Sequence, residues 1–305
     1  MNLNNPIFSD ETKARAHLEA IRWPEGPVCP HCGEKQRVYR VTGKSARPGL
    51  IHCNACDGQF TVTTGGVMES SKIPLTKWAL GFYLYAGSKK GFSAHQLHRQ
   101  LGVTYKSAWF MAHRIREAMG PAKGDLGPMG GEGKVVEVDE TEISPGRKTK
   151  VRGGRARHKN KKFVALVERD GQVRSAVIDG GAMQLRNEVR KHLHPEATLH
   201  TDMANSLRSI VADHERVDHS KEYVRKGKSA KVHTNTAEGY FSLFKRGLVG
   251  TYQHISPAHL QRYLNEFDFR MNNRSKLGVD DTTRAARIIK DAEGKRLTYQ
   301  RPGAA

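Results

Sequence analysis

The chain has 305 residues, enough for two or three domains with sizeable cores. It carries 51 Lys and Arg against 31 Asp and Glu, a formal net charge of +20, which calls for a polyanionic partner, nucleic acid before an anionic membrane surface. No run approaches the ~18 apolar residues of a spanning helix, and residues 1–15 lack the apolar core of a signal peptide, so the expected location is the cytoplasm, with the nucleoid.

The first expected element is a short helix over Asp10–Arg22. Ser9 or Asp10 would cap it, and Ala14, Leu18 and Ile21 form its apolar stripe. The four cysteines follow as two C-x-x-C pairs, Cys29 with Cys32 and Cys53 with Cys56, twenty residues apart. In a reducing compartment this spacing favours a four-thiolate structural zinc site over a disulfide or a redox dithiol. Residues 37–41, 50–52 and 59–62 read as strands of a small ribbon, whose folding free energy would come mostly from the metal. His31 and His52 read as surface residues beside the ligands.

Residues 75–119 turn helical. Leu75, Trp78, Ala79, Phe82 and Tyr85 mark one face of a first helix. Ser93 caps a second over residues 93–101, Gly102-Val103 makes a tight turn, and Thr104 caps a third with Ala108, Trp109, Ala112, Ile115 and Met119 inward. Helix, glycine turn, helix is a helix-turn-helix pattern, in which Tyr105, Lys106 and Ser107 would meet bases or phosphates of double-stranded DNA. An ordinary three-helix bundle with a solvated basic face is the plainer alternative. The glycine- and proline-rich stretch 121–133 reads as a linker.

Residues 135–143 read as a strand that puts Asp139 on one face with Glu137 and Thr141. A basic stretch, residues 144–162, follows; Arg147, Lys148, Lys150, Arg152, Arg155 and Arg157 would track DNA phosphates if it lies beside an active site. A hairpin around Asp170-Gly171, a helix from Met183 to His192 and a strand ending on Asp202 come next. A helix beginning over 205–211 and a short strand within 217–223 complete the series. This order suits a mixed sheet with flanking helices, the ribonuclease H-like arrangement, with Asp139 on its first strand and Asp202 at the end of its fourth.

The segment His233 to Tyr252 reads as an amphipathic helix with Phe241, Leu243, Phe244 and Leu248 apolar, weakened or ended by Gly247 and Gly250. Asn235, Glu238 and Lys245 share one face. By itself this favours a capping box, with Asn235 as cap and Glu238 three residues on. Together with Asp139 and Asp202, however, Glu238 completes a D…D…E series at spacings of 63 and 36, with a lysine seven residues beyond. Three hard oxygen ligands suit two Mg²⁺ ions. Lys245 would hold a phosphate, with Arg246 beside it. Tyr252, His254, Arg270 and Asn273 read as structural. A helix spans residues 257–271, and one more covers 282–291.

These motifs carry a resemblance. C-P-H-C with C-N-A-C, L-G-V-T-Y-K-S-A-W, V-E-V-D-E-T, H-T-D and H-T-N-T-A-E-G-Y-F-S-L-F-K-R-G with G-T-Y lie within residues 17–273. The sequence resembles bacterial insertion-sequence DDE transposases of the ISXO2-like type, with an N-terminal zinc ribbon, a helix-turn-helix and a ribonuclease H-like catalytic domain. The implied fold is multidomain α+β: a helix to 24, ribbon 25–66, helix-turn-helix 70–120, linker 121–133, catalytic domain 134–274 and a C-terminal helix and tail 275–305. The resemblance implies cleavage at element ends and transfer of a 3′-hydroxyl to target DNA, with Mg²⁺ or Mn²⁺ as catalytic ions and a homodimer or higher assembly on DNA. It implies Asp139 and Asp202 as the first two acids. Either Glu238 or Asn235 is the third, and the carboxylate is the better Mg²⁺ ligand. A non-enzymatic ribbon and helix-turn-helix regulator, and a related nuclease without strand transfer, are the competing readings.

Overall fold

The computed structural model describes residues 2–121, 127–144, 160–203, 205–228 and 230–298. The chain divides into two compact units, Met1–Gly120 with Ser275–Ala305, and Pro121–Arg274.

The first unit begins with α1 (Glu11–Arg22), capped by Asp10, whose carboxylate accepts from the amides of Thr12 and Lys13. A three-stranded antiparallel ribbon follows: β1 (Val38–Arg40), β2 (Ile51–Cys53) and β3 (Gly58–Phe60). Its few buried apolar residues, Ile51 and Phe60, are completed from α1 and the residue that ends it: the Trp23 ring meets Phe60 edge-on at 5.8 Å, and Glu19 pairs with Arg40 at 2.5 Å. Three helices come next, α2 (Leu75–Gly87), α3 (Ala94–Leu101) and α4 (Tyr105–Met119). Ser93 caps α3 and Thr104 caps α4, and between them Gly102 takes a left-handed φ of 58°, as the tight turn requires. Trp109 departs from expectation. It is half-buried against His113, because the inward stripe runs through Ala108, Met111, Ala112 and Ile115, and residue 109 lies about 100° off that line.

The second unit is built on a five-stranded sheet of β4 (Val135–Ile143), β5 (Lys161–Glu168), β6 (Val173–Ile178), β7 (Thr198–Thr201) and β8 (His214–Arg216). The strand order is β6-β5-β4-β7-β8. The pairs β4–β5 and β5–β6 are antiparallel, whereas β4–β7 and β7–β8 are parallel. Numbered from its own first strand, the sheet runs 3-2-1-4-5 with only the second strand reversed, the ribonuclease H-like topology. Each sheet face has its own core. Val136, Val138, Val164 and Leu166 pack with α5 (Ala182–His192) through Leu185 and Val189. Alternate residues Phe163, Ala165 and Val167 face α6 (Asn235–Gly247) and α7 (Leu260–Asn272) through Phe241, Phe244 and Phe267. A small hairpin, β9 (Arg225–Lys226) with β10 (Lys231–Val232), precedes α6.

Several expected boundaries shift. The helix expected over 205–211 is a single 3₁₀ turn, Asn205–Leu207. One turn is too short to propagate, and Leu207, Ile210 and Val211 pack toward α5 instead. The strand expected within 217–223 lies earlier, at His214–Arg216. Lys161 and Lys162, expected in the basic loop, begin β5; Lys162 pairs with Glu142 at 3.2 Å and Lys161 with Asp179. Within the glycine-rich stretch, Met129 is buried and bridges to Leu193 beside α5. The 257–271 helix splits into a 3₁₀ turn, Pro257–His259, and α7. The chain returns to the first unit as α8 (Asp281–Lys290), capped by Asp280 and joined to α2 by Arg284, which donates to the Ala86 carbonyl. Among the described residues, no helix is long and apolar enough to cross a membrane.

Candidate functional site

In the first unit, the turns flanking β1 and β2 bring the four cysteine sulfurs within 4.8 Å of one another. Cys29 and Cys56 are 3.7 Å apart, as are Cys32 and Cys53. That is too long for a disulfide. It matches the roughly 3.8 Å edge of a tetrahedron with Zn–S bonds of about 2.3 Å. Burial raises the Cys53 thiol, but the amides of Cys56 and Ala55 and the neighbouring sulfurs outweigh it and bring that thiol to about 7. The four clustered cysteines fit a structural zinc ion. His31 is exposed, and His52 pairs with Asp57 at 3.3 Å.

In the second unit, β4 and β7 run side by side with Val138 opposite Thr201. Asp139 is the next residue of β4, and Asp202 directly follows the end of β7. The backbone after Asp202 is held from β8: Arg216 donates to the carbonyls of Asp202 and Met203, and Thr201 hydrogen bonds to both His214 and the Asp202 carbonyl. Glu238 approaches from α6. Burial raises the Asp139 carboxyl most. The Glu140 amide, donating at 2.8 Å, lowers it, Asp202 and Glu238 raise it further, and His219 lowers it, leaving it at about 6. An open cleft of about 590 Å³ beside Asp139 is lined by Thr141, Glu238, Phe241, Lys245, Arg246 and Val249, among others. The three carboxylates are not gathered as tightly as the sulfurs.

The capping-box reading of α6 does not hold. Asn235 is the first helical residue rather than the cap, and Thr234 stands before it. The free amides of Thr236 and Ala237 are taken by Glu137, from β4, at 2.8 and 3.2 Å. A carboxylate from the sheet thus does the work that a side chain of the helix would have done. Asn235 and Glu238 both stay exposed on the site side, and Glu238 keeps its carboxylate for other partners.

Sequence reasoning missed His219. It lies on the loop after β8, with Nε2 3.0 Å from the Thr234 hydroxyl and 3.6 Å from Glu238, and its ring 5.7 Å from Tyr223. No local pattern marks it, because it reaches the site through a loop. Tyr252, Arg270 and Asn273 are structural: Tyr252 and Arg270 both bond Glu266, and Asn273 bonds the Phe269 carbonyl. In the first unit, Tyr105 is exposed and stacked on His95 at 4.3 Å, Lys106 is exposed, and Ser107 takes part in the α4 cap. Arg147, Lys148, Lys150, Arg152, Arg155 and Arg157 lie outside the described residues.

The profile of the ISXO2-like transposase domain matches residues 130–272, and that of the transposase zinc-ribbon domain matches residues 9–59. The chain carries an ISXO2-like transposase domain and a transposase zinc ribbon. The first match takes in Asp139, Asp202, Asn235, Glu238 and Lys245, and the second takes in α1 and all four cysteines of this transposase. Among solved structures, the chain is similar to one titled "Crystal structure of a pre-cleavage Mos1 transpososome". The identity is 12%, over 70% of this chain and 79% of that one, with a TM-score of 0.24, too loose to carry residue correspondences. No curated protein matches the chain significantly.

Proposed function

We propose that this transposase cuts DNA at the ends of its element and joins the freed 3′-hydroxyl to target DNA, using Asp139, Asp202 and Glu238 to hold two Mg²⁺ or Mn²⁺ ions. The observation that carries this reading is the half-buried Asp139 carboxylate with two further acids near it. Burial first, and then Asp202 at the end of the neighbouring parallel strand and Glu238 from α6, raise the Asp139 carboxyl to about 6. Carboxylates crowded in this way fit a divalent cation, which relieves their repulsion. When bound, such ions neutralise charge on the reacting phosphate and make the attacking water or 3′-hydroxyl more acidic.

The side chains around the acids divide the remaining work. Lys245 and Arg246, exposed along the cleft that contains Asp139 and Glu238, hold DNA phosphates next to the scissile bond. Asn235 stands one turn before Glu238 and contributes an amide to the same face. Tyr105, Lys106 and Ser107, at the start of α4, read the element end, and the basic stretch that contains Arg147 and Arg157 follows the backbone. The zinc ion is structural. The working form is a homodimer or higher assembly on double-stranded DNA.

The test is a cleavage and strand-transfer assay on DNA that flanks the gene, comparing wild type with Asp202→Asn, with Mg²⁺, with Mn²⁺ and with neither. Metal-dependent 3′-end cleavage and joining, lost in the variant, is expected. Binding without cleavage, equal in both proteins, supports a non-enzymatic regulator, and cleavage without joining supports a nuclease.

A further inference from the structure

We infer that Arg169, with Glu137 as its buried partner, is the positioning residue that fixes the three acid-bearing elements relative to one another. The inference rests on the reading of Asp139, Asp202 and Glu238 as the reacting centre, and concerns what holds them in place.

Arg169 follows β5 directly and points back beneath the site. Its Nε donates to Glu137 of β4 at 2.8 Å. One terminal nitrogen donates to the Lys231 carbonyl of β10 at 2.8 Å. The other reaches His200 Nδ1 of β7 at 3.1 Å and the His233 carbonyl, just before α6, at 3.2 Å. Three of these four contacts precede a site residue by the same step. Glu137 is two residues before Asp139, His200 two before Asp202, and His233 two before Asn235. On the strands, a step of two returns to the same face about 7 Å along, so the guanidinium lies one repeat below the acids.

Glu137 extends the grip to the helix. Its side chain has no solvent exposure, yet it accepts from the Thr236 and Ala237 amides, from the Thr236 hydroxyl at 3.0 Å and from Arg169, and His233 Nδ1 lies 3.1 Å away. The orientation of α6, and with it that of Glu238, is therefore set by the strand that carries Asp139. A planar guanidinium with several donors can serve four acceptors on four segments at once, whereas an ammonium is a point charge on a flexible stem. A polar knot of this kind is costly compared with apolar packing, and its value lies in geometric specificity. Polar partners behind ligating side chains typically alter metal affinity or activity by about 10–100-fold when removed.

The experiment uses the full chain and two variants, Arg169→Lys and Glu137→Gln. Mn²⁺ binding is followed by the loss of the free-ion electron paramagnetic resonance signal. Binding to a duplex ending in the element's terminal repeat is measured in EDTA, and cleavage of that duplex under single turnover. Both variants should bind the duplex like wild type, while Mn²⁺ affinity and cleavage rate fall about 10–100-fold. Folded variants with wild-type Mn²⁺ affinity and cleavage overturn the role. Should either variant unfold, amide exchange in the metal-free wild type decides. Thr236 and Ala237 should be as protected as the sheet, and exchange at the rate of a frayed helix end overturns the inference. Asp139→Asn run alongside separates the two levels. If it binds Mn²⁺ and cleaves like wild type, the acid centre itself is misread. If it alone loses both, only the positioning role fails.

Discussion

Val138 and Thr201 face one another on neighbouring parallel strands, and the residues that follow them are Asp139 and Asp202. This register brings together two acids that stand 63 residues apart in the chain. Burial first, and the nearby Asp202 and Glu238 after it, make Asp139 costly to ionise without a cation. Its folded-state value of about 6 lies above the ordinary 3.8, so the stability present below about pH 4 is lost as pH rises through 6. Asp139→Asn removes that loss. The metal-free variant should be more stable than wild type at pH 8, by on the order of 1 kcal/mol, with no difference below pH 4. It should also show no melting-temperature gain on adding Mg²⁺. Calorimetry at the two pH values, with and without the ion, checks this.

The zinc site should be separable from the catalytic unit. Wild type should carry about one zinc per chain, and Cys53→Ser markedly less, measured by atomic emission. Without the metal, the ribbon has little apolar core to hold it, so Trp23, packed on Phe60, should become exposed. A red shift in tryptophan emission on chelation is the expected readout, with β4 to α7 retaining their circular dichroism.

Because Glu137 rather than Asn235 or Glu238 occupies the amides at the start of α6, neither site residue is needed for the helix. Glu238→Gln and Asn235→Ala should each change stability by less than about 0.5 kcal/mol. Cleavage should fall at least ~100-fold in Glu238→Gln and far less in Asn235→Ala, since an amide is the weaker ligand for a hard cation. The reverse pattern in a single-turnover assay would assign the third position to Asn235.

Lys106 is exposed at the start of α4, where a helix-turn-helix presents its reading end. Lys106→Ala should weaken binding to the element end and to unrelated DNA alike, and reduce the slope of log affinity against log salt by about 1. Titrations at three salt concentrations on both duplexes check it. An unchanged slope would point to the plainer reading, a solvated basic face.

The elements and the candidate acids were legible in the sequence because each depends on local chemistry. The two C-x-x-C pairs, the Ser93 and Thr104 caps around Gly102, the valine-rich strand over residues 135–143 and the Asp170-Gly171 turn are all short-range signals, and the structure carries all of them. The exceptions were also local. The segment 205–211 has apolar residues enough for a helix, but it lies against α5 and needs only one turn.

What no local pattern could supply was the pairing across distance. Glu137 was one more acid on a strand, and no local pattern marks Arg169. Only the fold brings them to the N-terminus of α6 and turns a capping-box sequence into a helix capped from the sheet. His219 likewise reaches Glu238 through a loop that carries no signature. By itself the sequence determined the elements, the thiolate cluster, the acid series and the excess of positive charge, because residue type and spacing along one segment dictate these. The tertiary structure alone decided that Glu137 and Arg169 tie the strands to α6, because that depends on which buried charges meet once strands far apart in sequence lie side by side.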